Sequence, residues 1–343
     1  MFMNYPITLR FGVLLVLVLA CGPSSGQVVS TPTPSAAASP TPTVPAARGY
    51  AGMVSASSGS GVLLFGGFSP HPETGVWLPD LWSYRKGAGW GRLSPEQSAP
   101  PPGDGFSYRN KTSSAVFLDG DGLTWRFDSA SRRWQRHAVN GGPALHGIHM
   151  VYDSESDRFI VFSGDNFRSI FDKTYAYDEE ANAWAEMKPK AVPPGRTFYA
   201  IAYDSKADRI VLFGGSTDSG NLNDTWTYDL NHDAWLQMKP RQAPSAREYS
   251  AMVYDSVRDR LLLFGGAGVG EAPLGDLWSF DLNKNTWIEL NPAGDRPAAR
   301  GWHVMGFDSQ EGVAVLFGGG PDRDSYNNEI WTYDVQSNAW SRG

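Results

Sequence analysis

Short apolar runs that end in glycine recur along the chain after its first 47 residues. A typical copy is "LLLFGG", in which four apolar residues precede the pair Gly265 and Gly266. Runs of this length that are rich in Val, Leu and Phe predict buried β-strands. The six copies end at Gly67, Gly120, Gly164, Gly215, Gly266 and Gly319.

A spaced pair of aromatic residues follows each run. In "LWSFDLNKNTW" the pair is Trp278 and Trp287, and the other five copies have similar forms, such as "TWTYDLNHDAW". A short apolar segment such as "SAMVYD" and a polar turn such as "SVRDR" precede most of the glycine pairs. The whole unit recurs with a period of roughly 44 to 53 residues, which is typical of propeller repeats.

Each repeat predicts four strands, which we label a to d. In the fifth repeat these are "YSAMVYD", "RLLLFGG", "DLWSFDL" and "TWIEL". A single sheet of this kind leaves both faces in water, whereas six sheets around an axis bury one another. We therefore predict an all-β protein, a six-bladed β-propeller with four-stranded antiparallel blades. Each terminal blade should be completed by its own repeat, with packing alone closing the ring.

The double glycine followed by spaced aromatics resembles the kelch-repeat family. The resemblance covers Arg48 to Gly343, so we predict a propeller over residues 48–343. Glycine after strand b permits a positive φ, and the aromatics are expected to pack between blades. Asp119 and Ser163 replace glycine and Tyr175 replaces tryptophan, so repeats two and three depart from the family pattern.

The composition agrees with an all-β chain and excludes several functions. The 343 residues include 38 Gly, 24 Pro and 13 Trp, and the net charge is −7. An acidic protein is a poor ligand for nucleic acid, because phosphate binding needs a basic surface. Cys21 is the only cysteine. The sequence thus predicts no disulfide, no cysteine-based metal site and no cysteine nucleophile in the propeller.

The N-terminal segment has the features of an export signal. Its apolar core, Phe11 to Ala20, suits a signal peptide and is too short to span a bilayer. The segment ends in "VLAC", which resembles the bacterial lipobox, although the leading region carries little charge. We predict a lipoprotein signal over residues 1–21 with lipidation of Cys21, which places the propeller in the cell envelope, outside the cytoplasm. The alternative is an ordinary secretory signal with an unrelated cysteine.

Residues 22–47 are dominated by Pro, Thr, Ser and Ala and show no apolar periodicity. Such a segment cannot bury a core and should be an extended, disordered linker. It would hold the propeller away from the membrane surface.

The polar turns between strands a and b repeat Asp and Arg at fixed places, as in "YDSKADR". A run of this kind suggests either a calcium loop or a braced hairpin turn. It lacks the ligand count and the length of a calcium loop. We therefore predict that the Asp side chains brace the a–b turns.

Strand alternation places the long, variable b–c loops and the d–a connections on one side of the propeller, which we call the loop face. Function usually resides in such loops, and the family resemblance implies ligand or partner binding there. An arginine and an aromatic residue recur at the mouths of several blades, as in Arg247 and Tyr249. Such residues form binding hot spots, but a repeated arginine also commonly holds a neighbouring loop. The candidate ligand-binding residues are Tyr50, Phe68, Trp77, Phe167, Arg168, Arg196, Phe198, Arg247, Tyr249, Arg300, Trp302, Arg323 and Tyr326.

The sequence offers little support for a metal or cofactor. His146 and His149 lie three residues apart at the entry to a strand, where such positions face opposite sides. We predict no metal site and no cofactor.

Three functional hypotheses follow. The first is a binding or scaffolding protein for a protein partner or a glycan, and we favour it. The second is an enzyme of the galactose-oxidase type, which is excluded because that chemistry needs a cysteine near the copper. The third is a mutarotase-like sugar enzyme using acid–base groups such as Asp165, Glu271, Asp322 and His303. We expect a monomer, and the sequence does not identify the ligand.

Overall fold

The computed structural model describes residues 44–56, 61–70, 75–93, 99–129, 131–137 and 142–343. The predicted signal peptide, the lipidation site and most of the predicted linker lie outside the described residues. Within the described ranges, no helix is long and apolar enough to cross a membrane.

Among the described residues, six antiparallel sheets of four strands each confirm the predicted propeller. The b–c loop of blade four adds a two-stranded sheet, Ser216–Thr217 with Gly220–Asn221, and that of blade five a 3-10 helix, Val269–Glu271. In every four-stranded sheet the strands pair in the order a, b, c, d. The strands of blades one to three are Gly52–Ala56, Gly61–Phe65, Leu81–Arg85, Gly89–Arg92; Gly105–Arg109, Ser114–Leu118, Thr124–Asp128, Arg133–His137; Met150–Asp153, Arg158–Asp165, Ile170–Asp178 and Ala183–Glu186. Those of blades four to six are Ala200–Asp204, Arg209–Phe213, Thr225–Asp229, Ala234–Met238; Ala251–Asp255, Arg260–Ala267, Pro273–Asp281, Thr286–Leu290; Val304–Asp308, Val313–Phe317, Ile330–Asp334 and Ala339–Arg342.

The core lies between neighbouring blades. Strand b is almost wholly buried, as in Val313–Phe317, because neighbouring blades cover both of its faces. The tryptophan of strand d reaches the preceding blade: the Trp287 ring centroid lies 5.0 Å from that of Phe213, and its indole N–H donates to Thr225 Oγ1 at 3.0 Å. The predicted role of the aromatic pairs as packing residues between blades is confirmed at this position.

The glycine pairs adopt the conformation that the sequence predicts. Gly214 and Gly215 have φ values of 64° and 95°. A Cβ atom on Gly215 would lie 2.8 Å from the carbonyl oxygen of Thr197, so a larger residue does not fit. In blade three Ser163 takes the first glycine position with φ 58°, and its hydroxyl donates to the Arg196 carbonyl at 2.7 Å. The hydroxyl thus bridges to the next blade at a point where the family pattern is lost.

The polar turns are braced by aspartate, as predicted. Asp204 ends strand a of blade four, and its Oδ1 accepts the backbone N–H groups of Lys206 at 3.1 Å and Ala207 at 3.0 Å. Asp255 makes the equivalent bonds in blade five. These aspartates fix a tight a–b turn by local hydrogen bonds.

Blades one and six meet without exchanging a strand among the described residues. Trp90 packs on Phe317 with ring centroids 5.0 Å apart, as the tryptophan of strand d does elsewhere. The expectation that packing alone closes the ring is wrong, because the Gly319 N–H donates to the Arg48 carbonyl at 3.0 Å. The same bond joins Gly215 to Arg247 at 2.8 Å, so this seam is built like an internal junction.

Candidate functional site: the loop face

Four aromatic residues cluster at the axis on the loop face. They are Tyr50, Phe198, Tyr249 and Trp302, each two positions before a strand a, and we call them the aromatic cap. All four have φ values between 53° and 59°, a region that residues with side chains rarely occupy. Such strain persists only where the surrounding structure imposes it.

A chain of backbone hydrogen bonds imposes this conformation. The N–H of Tyr249 donates to the Phe198 carbonyl at 3.0 Å, that of Trp302 to Tyr249 at 3.2 Å, and that of Tyr50 to Trp302 at 3.3 Å. Gly147 occupies the equivalent position in blade three, and its carbonyl accepts from Phe198 at 2.9 Å. The Asp104 carboxylate of blade two then accepts the Gly147 N–H at 2.8 Å. These bonds link all six blades around the axis at the loop-face end.

The rings of the aromatic cap pack against one another. The centroid distances are 4.3 Å from Phe198 to Tyr249, 4.7 Å from Tyr249 to Trp302 and 5.7 Å from Tyr50 to Tyr249. Tyr50, Phe198 and Tyr249 are half-buried, whereas Trp302 is 4% exposed. The cap therefore presents three rings at the surface and holds the fourth beneath it.

Three further predicted site residues flank the cap. Phe68 lies between Tyr50 and Trp77, with centroid distances of 6.5 Å and 5.5 Å. Trp77 also contacts Phe117 of blade two and donates its indole N–H to the Pro100 carbonyl at 3.1 Å. Tyr326 is 9% exposed and packs beside Tyr50 at 6.2 Å. Trp77 thus belongs partly to the packing between blades one and two.

The recurrent arginines are buried below the loop face. Arg196 is 0% exposed and grips Asp224 through two hydrogen bonds of 2.6 Å and 2.9 Å. It also donates to the Gly214 carbonyl at 2.8 Å, while Trp226 donates its indole N–H to Asp224 at 2.7 Å. This geometry favours the alternative in which the arginine holds a loop. Equivalent sets are Arg48, Asp80 and Trp82; Arg247, Asp276 and Trp278; and Arg300, Glu329 and Trp331.

The acidic partners of these arginines were not recognised from the sequence. Each stands two residues before the tryptophan of strand c, in "DLW", "DTW", "DLW" and "EIW". The repeated spacing was the available signal. In blade two the acid that accepts the tryptophan indole N–H comes from a different position. It is Asp119, which stands at a glycine position and accepts the Trp125 indole N–H at 2.8 Å.

Sequence comparison with known proteins identifies the family to which this propeller belongs. The model of the KLHDC2/KLHL20/DRC7 Kelch-repeats domain matches residues 109–255 and 239–343. The chain belongs to the kelch-repeat family. It is 26% identical over 340 residues to Kelch domain-containing protein 2 of Bos taurus, covering 85% of this chain and 82% of that protein. It is also 26% identical over 236 residues to Host cell factor 2 of Homo sapiens, covering 61% of this chain and 29% of that protein.

Kelch propellers commonly bind protein partners. In this kelch propeller the b–c loops carry the most accessible apolar groups of the loop face. Val76, Phe167 and Val269 belong to blades one, three and five and are 53%, 62% and 86% exposed. Arg168 and Arg323, both predicted site residues, are exposed on two of the b–c loops.

The loop face also carries acidic groups whose pKa values are raised by burial. Burial and the nearby Glu271 raise the pKa of Glu248 to about 7. Glu271 itself pairs with Arg323 at 3.4 Å. On the opposite part of the face, burial raises the pKa of Asp165, which lies close to His146. The His146 ring stacks on Phe167 with centroids 4.1 Å apart.

The four acid–base candidates lie in different environments. Asp165 is near His146, Glu271 pairs with Arg323, and Asp322 accepts a hydrogen bond from the Asp324 N–H at 3.0 Å within its own loop. His303 is 5% exposed and lies below the cap.

The two histidines of "HGIH" also lie in different parts of the propeller. His146 stacks on Phe167 at the loop face, whereas His149 lines the central cavity. Among the described residues, one cluster of three acidic side chains brings carboxylate oxygens within 4.8 Å of one another. The three residues are Asp153, Glu155 and Asp208. These oxygens already accept hydrogen bonds, for example from Tyr203 and Asn231 to Asp208 at 2.8 Å.

Proposed function

We propose that this kelch propeller is a membrane-tethered binding protein that recognises a polypeptide partner on its loop face. The observation that carries the proposal is the set of exposed apolar side chains, Val76, Phe167 and Val269, on the b–c loops of blades one, three and five. Exposed apolar groups on separate loops suit the side chains of a protein better than the hydroxyl groups of a glycan. Arg168 and Arg323 add donors for acidic groups of the partner.

The proposed membrane tether is inferred from the N-terminal sequence. Cys21 is the single cysteine and follows the "VLA" motif that resembles a lipobox. Lipidation at Cys21 would leave 22–47 as the spacer, which spans roughly 80 Å if extended like polyproline II. A partner in the cell envelope would then be captured well away from the membrane surface.

The loop face is tested by a matched pair of double variants. Phe167→Asp with Val269→Asp places two charges on the loop face. Leu236→Asp with Ile288→Asp places two charges on the outer strands d, where these residues are 63% and 54% exposed. Cross-linking in envelope membranes should give partner bands for the wild type and the outer-strand variant, and the loop-face variant should lose them.

The result that contradicts the proposal is loss of the bands in the outer-strand variant alone, or in neither variant. A glycan array with the same three proteins separates the partner classes. Binding of the wild type to a glycan, abolished only by the loop-face changes, would replace the polypeptide partner with a glycan.

A further inference from the structure

The b–c loops of blades four and five contact each other at the loop face. The side-chain amide of Asn221, at the end of the two-stranded sheet of blade four, donates to the carbonyls of Ala267 at 3.1 Å and Gly268 at 3.4 Å. Ala267 also pairs with Glu248 through two backbone hydrogen bonds of 3.0 Å and 2.8 Å. Glu248 therefore lies where the two loops meet the entry to blade five.

The Glu248 carboxyl has neighbours from both loops. Ser216 and Asn221 of blade four donate hydrogen bonds to it, and the charge of Glu271 acts on it from blade five. Asp218, at the tip of the blade-four sheet, is exposed. Burial and a like charge both disfavour the ionised form of a carboxyl group. They outweigh the hydrogen bonds here, and the pKa of Glu248 is raised to about 7.

Residues 268–272 of blade five form a tight loop that depends on its contacts. Glu271 has a φ of 60°, which is rare for a residue with a side chain. Its N–H donates to the Gly268 carbonyl at 3.1 Å, and its carboxylate pairs with Arg323 of blade six at 3.4 Å. Val269, in the same loop, is 86% exposed. Backbone strain of this kind persists only while the surroundings hold it, so a new charge beside Glu271 can displace the loop.

From this arrangement, we propose that the proton on Glu248 controls the blade-five loop, so that the polypeptide partner binds more tightly at weakly acidic than at weakly alkaline pH. The inference rests on the proposed function, because Val269 is one of the three apolar side chains assigned to the partner. With its proton, Glu248 is neutral and does not repel Glu271. Without it, Glu248 carries a poorly hydrated charge beside a like charge, and a loop displaced into solvent becomes more favourable.

The size of the effect follows from the linkage between proton binding and loop position. The carboxyl has a pKa of about 7 when the loop is in place, and the ordinary value of 4.5 applies once Glu248 is released to solvent. The ratio of displaced to closed loop then rises by up to about tenfold per pH unit between these two values and levels off above pH 7. From pH 5.5 to pH 8 the ratio should increase by at least about tenfold.

Hydrogen exchange of the full-length protein, read by mass spectrometry, measures the loop without a partner. Rates are expressed relative to those of an unstructured chain at the same pH. Protection of residues 268–272 in the wild type should fall by at least about tenfold from pH 5.5 to pH 8. Glu248→Gln is neutral at both pH values, and its protection should change by less than about twofold.

Two further variants complete the exchange experiment. Asp218→Asn removes a negative charge from the exposed tip of the blade-four sheet and is the matched control, which should keep the wild-type response. Glu271→Gln removes the like charge that acts on Glu248 and should reduce the response. This variant also tests the switch if Glu248→Gln does not fold.

Photo-cross-linking in envelope membranes at pH 5.5 and pH 8 connects the loop to binding. The partner bands of the wild type should be at least about threefold weaker at pH 8, whereas those of Glu248→Gln should be equal at the two pH values. The switch is refuted if protection of residues 268–272 does not change with pH in the wild type, or if a folded Glu248→Gln protein keeps the response. Equal wild-type bands at both pH values also refute it and leave polypeptide binding intact. Bands that are absent at both pH values refute the binding function and the switch together.

Discussion

Replacing Asp224 by alanine tests the role of the buried arginines. The change removes both carboxylate acceptors of Arg196, which is 0% exposed, and the acceptor of the Trp226 indole N–H. The Arg196 guanidinium would keep its bond to the Gly214 carbonyl but lose its counter-charge. An unpaired buried charge is one of the few single changes that destabilise a protein strongly.

The magnitude follows from the burial of the pair. Breaking a buried ion pair by removing one partner costs about 3–5 kcal/mol. The Asp224 side chain is 19% exposed, so water reaches the site and the lower end, about 3 kcal/mol, is expected. Burial acts to raise the pKa of Asp224, but hydrogen bonding and the charge of Arg196 outweigh it and lower the pKa. The ion pair therefore contributes to the free energy of unfolding at neutral pH. This contribution is lost as the pH falls and the Asp224 carboxyl of the folded protein is protonated.

Urea unfolding followed by tryptophan fluorescence measures the effect. Asp224→Ala should lower the free energy of unfolding at pH 7, and the difference from the wild type should shrink below about pH 4. Asp218→Ala, which removes an exposed carboxylate, is the control and should change stability by less than about 0.5 kcal/mol. If the two variants unfold at the same urea concentration, Asp224 does not stabilise the blade and the argument fails.

Three further predictions concern the anchor, the cap and the loop face. Cys21→Ser should release the protein from membranes while leaving the propeller folded, and failure of the wild type to incorporate labelled fatty acid would refute the lipoprotein assignment. Trp302→Ala should lower the free energy of unfolding by about 3–5 kcal/mol, because the ring is buried; an unchanged urea midpoint would contradict its role in packing. Glu248 has a folded pKa of about 7, above its ordinary 4.5, so the folded state holds the extra proton and stability should fall as pH rises through this window. Glu248→Gln should abolish that part of the pH dependence in urea unfolding at pH 5 and 8, and an unaltered profile would assign it to another group.

The repeats allowed the fold to be predicted from the sequence because each blade uses the same residues for the same purpose. Trp287 packs on the preceding blade and Gly215 has a positive φ, as the repeated pattern implies. The departures were not predictable in detail. Ser163 and Asp119 replace glycines. Ser163 bonds to the Arg196 carbonyl of the next blade, and Asp119 accepts the Trp125 indole N–H from a position that no other blade uses for this acid.

The candidate site was predictable only in outline. The sequence placed aromatic residues at the mouths of the blades, and the structure brings four of them together at the axis. The sequence did not distinguish the half-buried Tyr50 from Trp302, which is 4% exposed, because the two occupy equivalent positions in the repeat. Trp302 packs with Ala267 and Tyr326, and the repeat pattern does not specify these neighbours. Asp104 escaped notice because blade two has no arginine–aromatic motif to mark its entry.

The way the ring closes sets a constraint on how the protein is made. The Phe307 N–H of blade six donates to the Ser55 hydroxyl of blade one, a contact between residues 252 positions apart. Because no strand is shared at this junction among the described residues, blade one has no early partner on that side during synthesis. The apolar side of blade one that faces blade six stays open to solvent until the last repeat has been translated, and contacts of such long sequence separation form slowly. A nascent chain of this protein therefore has an exposed apolar flank until blade six is complete, and this is the interval in which it is most prone to aggregation.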